Sequence, residues 1–582
     1  MAENISNKMK GQKRFTFNQF LKNLYQILSQ RRELVLFILL TVVSAVLQVY
    51  FAMRTWGMIH SDEIFQSLEI AHNLVFGYAN IPPEFQAYHH YSPYYAQCRS
   101  HLFPLIFSIP MYLGKIFGWS YWRVTIPLIR FFLGINGALL TPSTYLLVKQ
   151  FTCGKTRYAF ASAFLITFSP LLMFLSFRSL TNIFFIPWIF FLVTLYWKDV
   201  NKLKEIKNVK EISEGFSFQA LNIYLRISLY TLLIGLILYI RMDLIIPLFA
   251  ILVFRFPFRK IKVLISHVSG LILALVLGGV VDFHYYGKFL VSPINWFKFN
   301  ILEGKSTIFG EEPFSFYFAQ IVNYLPILLI VCYCIFFLLV LISSNLWRYK
   351  KEGEVRWDRV RILSSYLLSS FIIIIFFSLL KHKEIRFVYS GYIFLHIVIA
   401  ITFVLTLESI IPKINSFISR LFTKRERSLS TNTRRFLSLF YFTFFLTIII
   451  VSTAISTYQA MQIVDWKEAD VISKGLAFVG QSEDSTGVIV IIRSFLGDYY
   501  CYLHKNISII AFRHLGTYDS IYTFALYTKE ISYHYNYVIV PYYQIEKTPE
   551  IISILEENAY VSVQEMNGQG YIYKYIPSEI EP

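Results

Sequence analysis

Apolar runs about as long as a bilayer is thick recur along this chain, and they constrain its fold more than any other feature. Crossing roughly 30 Å of hydrocarbon takes about 20 residues of helix. The run from Leu34 to about Met53 meets that length, and further runs fall near 124–148, 158–176, 183–197, 226–239, 243–254, 263–281, 320–346, 362–379, 387–410 and 436–456. The two around Arg241 are short and read as a pair of half-length helices meeting there. Of the 582 residues, 55% are hydrophobic and only 15% charged, whereas soluble chains carry about 25% charged residues. Disorder, collagen and an ordinary soluble enzyme are thereby excluded. The expected fold is an all-α polytopic membrane protein of about 11 transmembrane helices.

Lys and Arg number 54 against 36 Asp and Glu, a net charge of +18. In a membrane protein such an excess marks basic loops held on the cytoplasmic side. The tail 1–33 carries Lys8, Lys10, Lys13, Arg14, Lys22, Arg31 and Arg32 and lacks the pattern of a cleaved signal peptide. The clusters Lys149–Arg157, Lys198–Lys210, Arg255–Lys262, Arg348–Arg361 and Lys424–Arg435 fall on the same side as that tail. This topology puts the N-terminus in the cytoplasm, the C-terminus outside, and two long outer loops at about 54–122 and 282–319. Beyond the membrane domain, 34–460, the composition changes. Residues 461–582 alternate turns with β-rich runs (Val488–Arg493, Ile507–Phe512, Tyr535–Pro541) and a helix at Thr548–Glu557, the pattern of a small outer α/β domain. The five cysteines have no zinc spacing, and sequence alone cannot pair Cys98 with Cys501.

The first outer loop opens with Arg54-Thr-Trp-Gly-Met-Ile-His-Ser-Asp-Glu63. Ser61 is a suitable N-cap, with Asp62 and Glu63 in the first turn of a helix running to about Phe76. The macrodipole alone favours acids in a first turn, so the pair is not by itself catalytic. Asp62, Gln66, Glu69 and Asn73 share one face and Ile64, Leu68, Ala71 and Val75 another, which predicts an amphipathic helix lying at the membrane surface. His60 and His72 fit packing better than metal ligation. Glu84 and Arg99 follow at the membrane edge. Arg178, Arg241 and the turn Lys381-His-Lys-Glu-Ile-Arg386 place cations at the outer ends of three spans. Each alone is explained by snorkelling; together they would suit a phosphate headgroup.

These segments resemble glycosyltransferase family 22, the polyprenyl-phosphate-mannose-dependent α-mannosyltransferases. His60-Ser-Asp-Glu-Ile-Phe-Gln-Ser-Leu-Glu69 is similar to the family's His-Pro-Asp-Glu-x-x-Gln-Ser-x-Glu segment, and Arg99-Ser-His-Leu-Phe-Pro104 to its Arg-Ser-x-x-x-Pro element. Asp282-Phe-His-Tyr-Tyr-Gly-Lys288 through Ser292–Asn300, continued by Phe309-Gly310, Pro313 and Tyr317, resembles its Asp-x-x-Tyr-Tyr-Gly loop. Lys381-His-Lys-Glu-Ile-Arg-Phe387 resembles its His-Lys-Glu-x-Arg-Phe turn. The wording is nearest to the branch that adds the third mannose of the GPI core. Ser61 stands in place of the usual Pro, and Pro82-Pro83-Glu84-Phe85 in place of a more aromatic element.

The resemblance implies the GT-C architecture and an inverting transfer of mannose from a polyprenyl (dolichyl) phosphate to a GPI precursor or lipid-linked oligosaccharide. It implies Asp62 as base, with Glu63 as runner-up. Arg241, Lys383, Arg386 and His382 would bind the donor phosphate, and His60, Gln66, Glu69, Glu84 and Arg99 the acceptor. No metal or other cofactor is expected, and no nucleic acid. The location would be the endoplasmic reticulum membrane in a eukaryote or the plasma membrane in a prokaryote. A glycolipid transporter or flippase, or a prokaryotic GT-C enzyme using another sugar or acceptor, stands as the alternative.

Overall fold

The computed structural model describes residues 31–86, 97–152, 154–210, 218–252, 261–324, 353–422, 447, 451, 464–492, 498–513, 518–530, 532–566 and 568–577. The tail 1–30 and most of the expected crossings 320–346 and 436–456 lie outside them. Among the described residues six helices are long and apolar enough to cross a membrane: Arg32–Arg54, Tyr121–Phe151, Thr181–Leu203, Gln219–Ile240, Ile261–Tyr286 and Ile385–Leu405. Leu102–Ile116, Met242–Leu252 and Ser365–Leu379 are shorter apolar helices. The chain is a mostly helical, multi-pass membrane protein. Its bundle interior buries Leu172, Ile183, Ile189, Phe190, Ile393 and Ile397 fully, while Leu225, Leu229, Leu271, Ile272 and Leu275 are exposed on its outer surface, as lipid-facing residues are.

One expectation about the spans is corrected. The helix before Arg241 is not half-length but runs 23 residues, Phe218–Ile240. It begins eight residues ahead of the expected run 226–239, and the Arg226 guanidinium within it is paired with Asp199 at 2.8 and 3.0 Å. Only the following helix, Met242–Leu252, is short. Phe218–Ile240 packs closely on Ile261–Tyr286, where a Cβ at Gly270 would stand 2.4 Å from the Ser228 carbonyl oxygen. Small residues allow such approach between membrane helices.

The helix carrying Asp62 is a second correction. It does not lie on a surface: Ile64, Leu68, Ile70 and Ala71 are buried, and so are Gln66, Ser67, Glu69 and His72. Residues Ile64–Leu68 form a π-helical turn before Glu69–Phe76 resumes the α-helix, and Gly77 ends it in the left-handed conformation at φ 86°. The wider turn breaks the i, i+4 register on which the amphipathic face was counted.

The C-terminal residues form a five-stranded mixed sheet of β1 (Gly487–Ile492), β2 (Ser508–Arg513), β3 (Tyr537–Pro541), β4 (Tyr560–Glu565) and β5 (Gly570–Tyr575), in the order β2-β1-β3-β5-β4. β1 pairs with β2 and β3 in parallel, and β5 pairs antiparallel with β3 and β4. β1 and β3 are buried throughout, which is why they read as unbroken apolar runs. The helix Val464–Gln481 leads into this sheet, and the expected final helix is Glu550–Glu557.

Candidate functional site

The turn ahead of Asp62 is built by Glu63. Its Oε1 accepts the N–H groups of Ile59 at 2.6 Å and His60 at 3.3 Å, and its Oε2 lies 3.4 Å from Arg178 Nη1. Arg178 Nη1 also donates to the Gly57 carbonyl at 2.6 Å, and Ser179 Oγ to the Glu63 carbonyl at 2.7 Å. His60 Nδ1 accepts the Asp62 N–H at 3.1 Å. The helix start is thus capped by His60 and Glu63 rather than by the expected Ser61 hydroxyl. Glu63 and Arg178 form a buried pair that braces this turn.

Asp62 Oδ2 meets Arg386 Nη2 at 2.7 Å. Glu384 grips the same guanidinium, Oε1 at 3.0 Å from Nη2 and Oε2 against Nε. Glu384 Oε1 also accepts from His382 Nε2 at 2.8 Å, and Oε2 lies 3.5 Å from His60 Nε2. The Asp62–Glu63 and Lys381–Arg386 segments thus close on each other. Burial alone would raise the Asp62 carboxyl, but the charges of Arg386, His60 and Arg99 outweigh it and hold it well below the usual carboxylate range. The Glu384 carboxyl is lowered likewise, burial being outweighed by Arg386, His60 and the bond from His382. Burial and Arg386 act against the His60 imidazolium, yet Asp62 and Glu384 prevail and raise it.

Arg241 and Arg99 stand beside this pair. Arg241 Nε binds Asp243 Oδ1 at 2.7 Å, and Asn182 Nδ2 holds Asp243 Oδ2 at 2.6 Å. Arg241 is 4% exposed, and its Nη1 has no hydrogen-bond partner among the described residues; nor do Nε and Nη1 of Arg99. These are cationic donors with capacity to spare. Lys383 is placed differently. Its Nζ donates to the carbonyls of Glu312 at 2.7 Å and Leu380, so it fastens the outer loop to its own turn.

Glu84 accepts from Gln66 Nε2 at 3.3 Å. Burial and the charge of Asp62 raise its carboxyl, against Arg99. Two neighbouring carboxyls are therefore pushed in opposite directions, a pattern that divides acid and base roles. Glu69, expected beside the acceptor, turns the other way, toward the C-terminal residues. Cys98 and Cys501 are both buried free thiols.

Sequence reasoning passed over several residues that hold this site. Glu384 lay inside the quoted His-Lys-Glu-x-Arg turn, and its spacing to Arg386 was the available signal. Tyr317, fully buried, accepts the Glu384 N–H on its hydroxyl at 3.1 Å. Asp282 binds Tyr239 OH at 2.7 Å and the Ser292 N–H at 2.8 Å, fixing where the second loop leaves the bundle. Both residues stood in quoted motifs without a role.

The described residues thus bring a buried carboxylate–arginine cluster together on a membrane-helix bundle, with guanidinium donors of Arg99 and Arg241 that have no hydrogen-bond partner among those residues. Residues 35–485 match the Alg9-like mannosyltransferase family, and the chain belongs to that family. It is 26% identical over 367 residues to GPI mannosyltransferase 3 of Trypanosoma brucei brucei, covering 56% of this chain and 58% of that one. It is 24% identical over 339 residues to GPI alpha-1,2-mannosyltransferase 3 of Homo sapiens, covering 56% and 50%. The match thus spans only about half the length of these relatives. The crystal structure of ArnT from Cupriavidus metallidurans bound to undecaprenyl phosphate aligns over 93% of this chain and 98% of that one, with a TM-score of 0.45 and 11% identity.

Proposed function

We propose that this protein is an inverting α-mannosyltransferase of GT-C architecture, moving mannose from a polyprenyl phosphate to a hydroxyl of a GPI precursor or a related lipid-linked glycan. The observation that carries the reading is the Asp62–Arg386 contact at 2.7 Å, flanked by unpartnered donors of Arg99 and Arg241. A carboxylate and a cationic cradle side by side are what inverting transfer from a phosphate needs. The acceptor oxygen attacks C1 of the sugar as Asp62 takes the hydroxyl proton, and the C1–oxygen bond to phosphate breaks on the opposite face. Arg386, Arg241 and Arg99 balance the charge left on the lipid phosphate. Phosphate is already a competent leaving group, so the proposal needs no general acid and no metal.

Arg386 has a double part, since it keeps Asp62 ionised in the empty site and faces the leaving phosphate in the occupied one. Glu84, with its raised carboxyl, and Gln66 are assigned to the acceptor hydroxyls, and His60 and His382 orient the carboxylates between them. The active face is the lumenal or outer one, with eleven crossings bringing the C-terminus to the same side.

The test is mannosyl transfer by the full chain in lipid nanodiscs, from a short-chain polyprenyl-phosphate mannose to a panel of mannosylated lipid acceptors. α-Mannoside formed by the wild type and lost in a folded Asp62→Asn variant supports the proposal. A folded wild type that neither transfers nor hydrolyses mannose from that donor overturns it.

A further inference from the structure

Glu69 has no exposed surface, and its carboxylate is fully engaged by backbone. Oε1 accepts the N–H groups of Asn80 at 2.8 Å and Tyr500 at 2.9 Å, and Oε2 that of Cys501 at 2.9 Å. Two of those three donors belong to the short helix Tyr500–Leu503 in the C-terminal region. Around them lies a second ring of bonds between the same partners. Tyr121 OH donates to the Cys501 carbonyl at 2.7 Å, Trp122 Nε1 to the Tyr502 carbonyl at 2.8 Å, and Asn80 Nδ2 to Asp498 Oδ2 at 2.7 Å.

The turn leading to Asp62 is held from the same side. Asp470, on the helix Val464–Gln481, accepts the N–H groups of Trp56 at 2.7 Å and Gly57 at 3.1 Å through Oδ1. The Trp56 ring stacks on Tyr502 at 5.5 Å, and Arg130 bridges the Trp56 carbonyl at 2.8 Å to the Tyr502 hydroxyl. The turn is therefore fixed by the C-terminal region before His60, through Asp470, and after Asp62, through Glu69. Buried backbone donors of this kind must keep their acceptors.

We propose that Glu69 is a positioning residue: together with Asp470 it latches the C-terminal region onto the Asp62 helix and thereby sets where Asp62 meets Arg386. The consequence for catalysis rests on the mannosyl-transfer reading above; the latch itself does not. A glutamine at position 69 keeps the shape but turns an NH2 group toward a backbone N–H, so it loses an acceptor without leaving a cavity.

The experiment uses the full chain with Glu69→Gln, and with Tyr121→Phe as a milder variant that removes one outer bond and keeps the ring. N-Ethylmaleimide labelling of Cys501, resolved by peptide mass spectrometry, reads the latch, and steady-state transfer reads its effect. In Glu69→Gln, Cys501 labels about tenfold faster or more, while kcat falls about ten- to a hundredfold with donor KM within about twofold. Cys98, a buried thiol whose N–H bonds the Glu84 carbonyl rather than Glu69, labels at the wild-type rate. Tyr121→Phe moves both readouts the same way by less. Unchanged Cys501 labelling in Glu69→Gln overturns the latch; faster labelling with wild-type kcat overturns its positioning role. A raised KM with normal kcat would instead make Glu69 a substrate contact, overturning the proposal. If the wild type transfers no mannose, the functional reading falls, and the labelling arm still decides the latch.

Discussion

Glu384 holds Arg386 through both carboxylate oxygens, at 3.0 Å from Nη2 and through Nε, and leaves the same Nη2 free to reach Asp62 at 2.7 Å. One guanidinium is thus shared by two carboxylates, and in the proposed mechanism Glu384 orients it while Asp62 is the base. Replacing Glu384 by Gln removes the charge that orients Arg386 without changing its size. Steady-state assays of Glu384→Gln are expected to show kcat lowered by about ten- to a hundredfold, a loss of about 1.4–2.7 kcal/mol in the transition state. A wild-type kcat would show that Asp62 alone orients the arginine.

Asp62 and Glu63 are adjacent yet should fail in different ways. Asp62→Asn removes the proposed base, and kcat should drop by about 10²–10⁴ while the protein stays folded. Glu63→Gln instead breaks a buried pair with Arg178 and the cap on Ile59 and His60, so it should destabilise by about 3–5 kcal/mol. Thermal unfolding of the two variants beside their activities separates the cases.

Arg99 and Arg241 should act on the lipid phosphate. Arg241→Lys keeps the charge but loses the planar fork that binds Asp243 and, in the proposed mechanism, a phosphate oxygen beside it. Affinity for a polyprenyl phosphate, measured by competition with the mannosyl donor, should fall about tenfold in Arg241→Lys and in Arg99→Ala, or about 1.4 kcal/mol. Unchanged affinity would remove both residues from the donor site.

Stability should carry the signature of Glu69. Burial raises its carboxyl from 4.5 to about 7, against the bonds from Tyr500, Asn80 and Cys501. The folded state therefore holds this proton more tightly than the unfolded chain. Its contribution to stability is full below about 4.5 and is lost as pH rises through about 7. Melting curves between these limits should fall more steeply with pH for the wild type than for Glu69→Gln, which cannot titrate. Parallel slopes would show an ordinary carboxyl at this position.

Much of this was legible in the sequence because it is local. The place of most spans, the presence of a helix after Asp62 and the strands of the C-terminal sheet follow from run length and periodicity, and Arg386 from a six-residue turn. The roles of Glu63 and Lys383 were not, since residues one to three positions apart share a motif yet point to different partners. Glu69 was misread for a related reason. The π-helical turn at Ile64–Leu68 shifts the face on which it was counted, and its partners Tyr500 and Cys501 lie more than 430 residues along the chain, at separations of 431 and 432. No window slid along a sequence contains both ends of such a bond.

Synthesis proceeds from the N-terminus, so the carboxylate of Glu69 is made and threaded beside the bilayer long before Tyr500 and Cys501 exist to satisfy it. Until then the Asp62 helix carries an acid with only one of its three backbone partners, Asn80, in place. If Glu69 positions Asp62 as proposed, that positioning is completed only once Tyr500 and Cys501 have been made, and a chain stopped short of residue 500 should insert its membrane helices yet transfer no mannose.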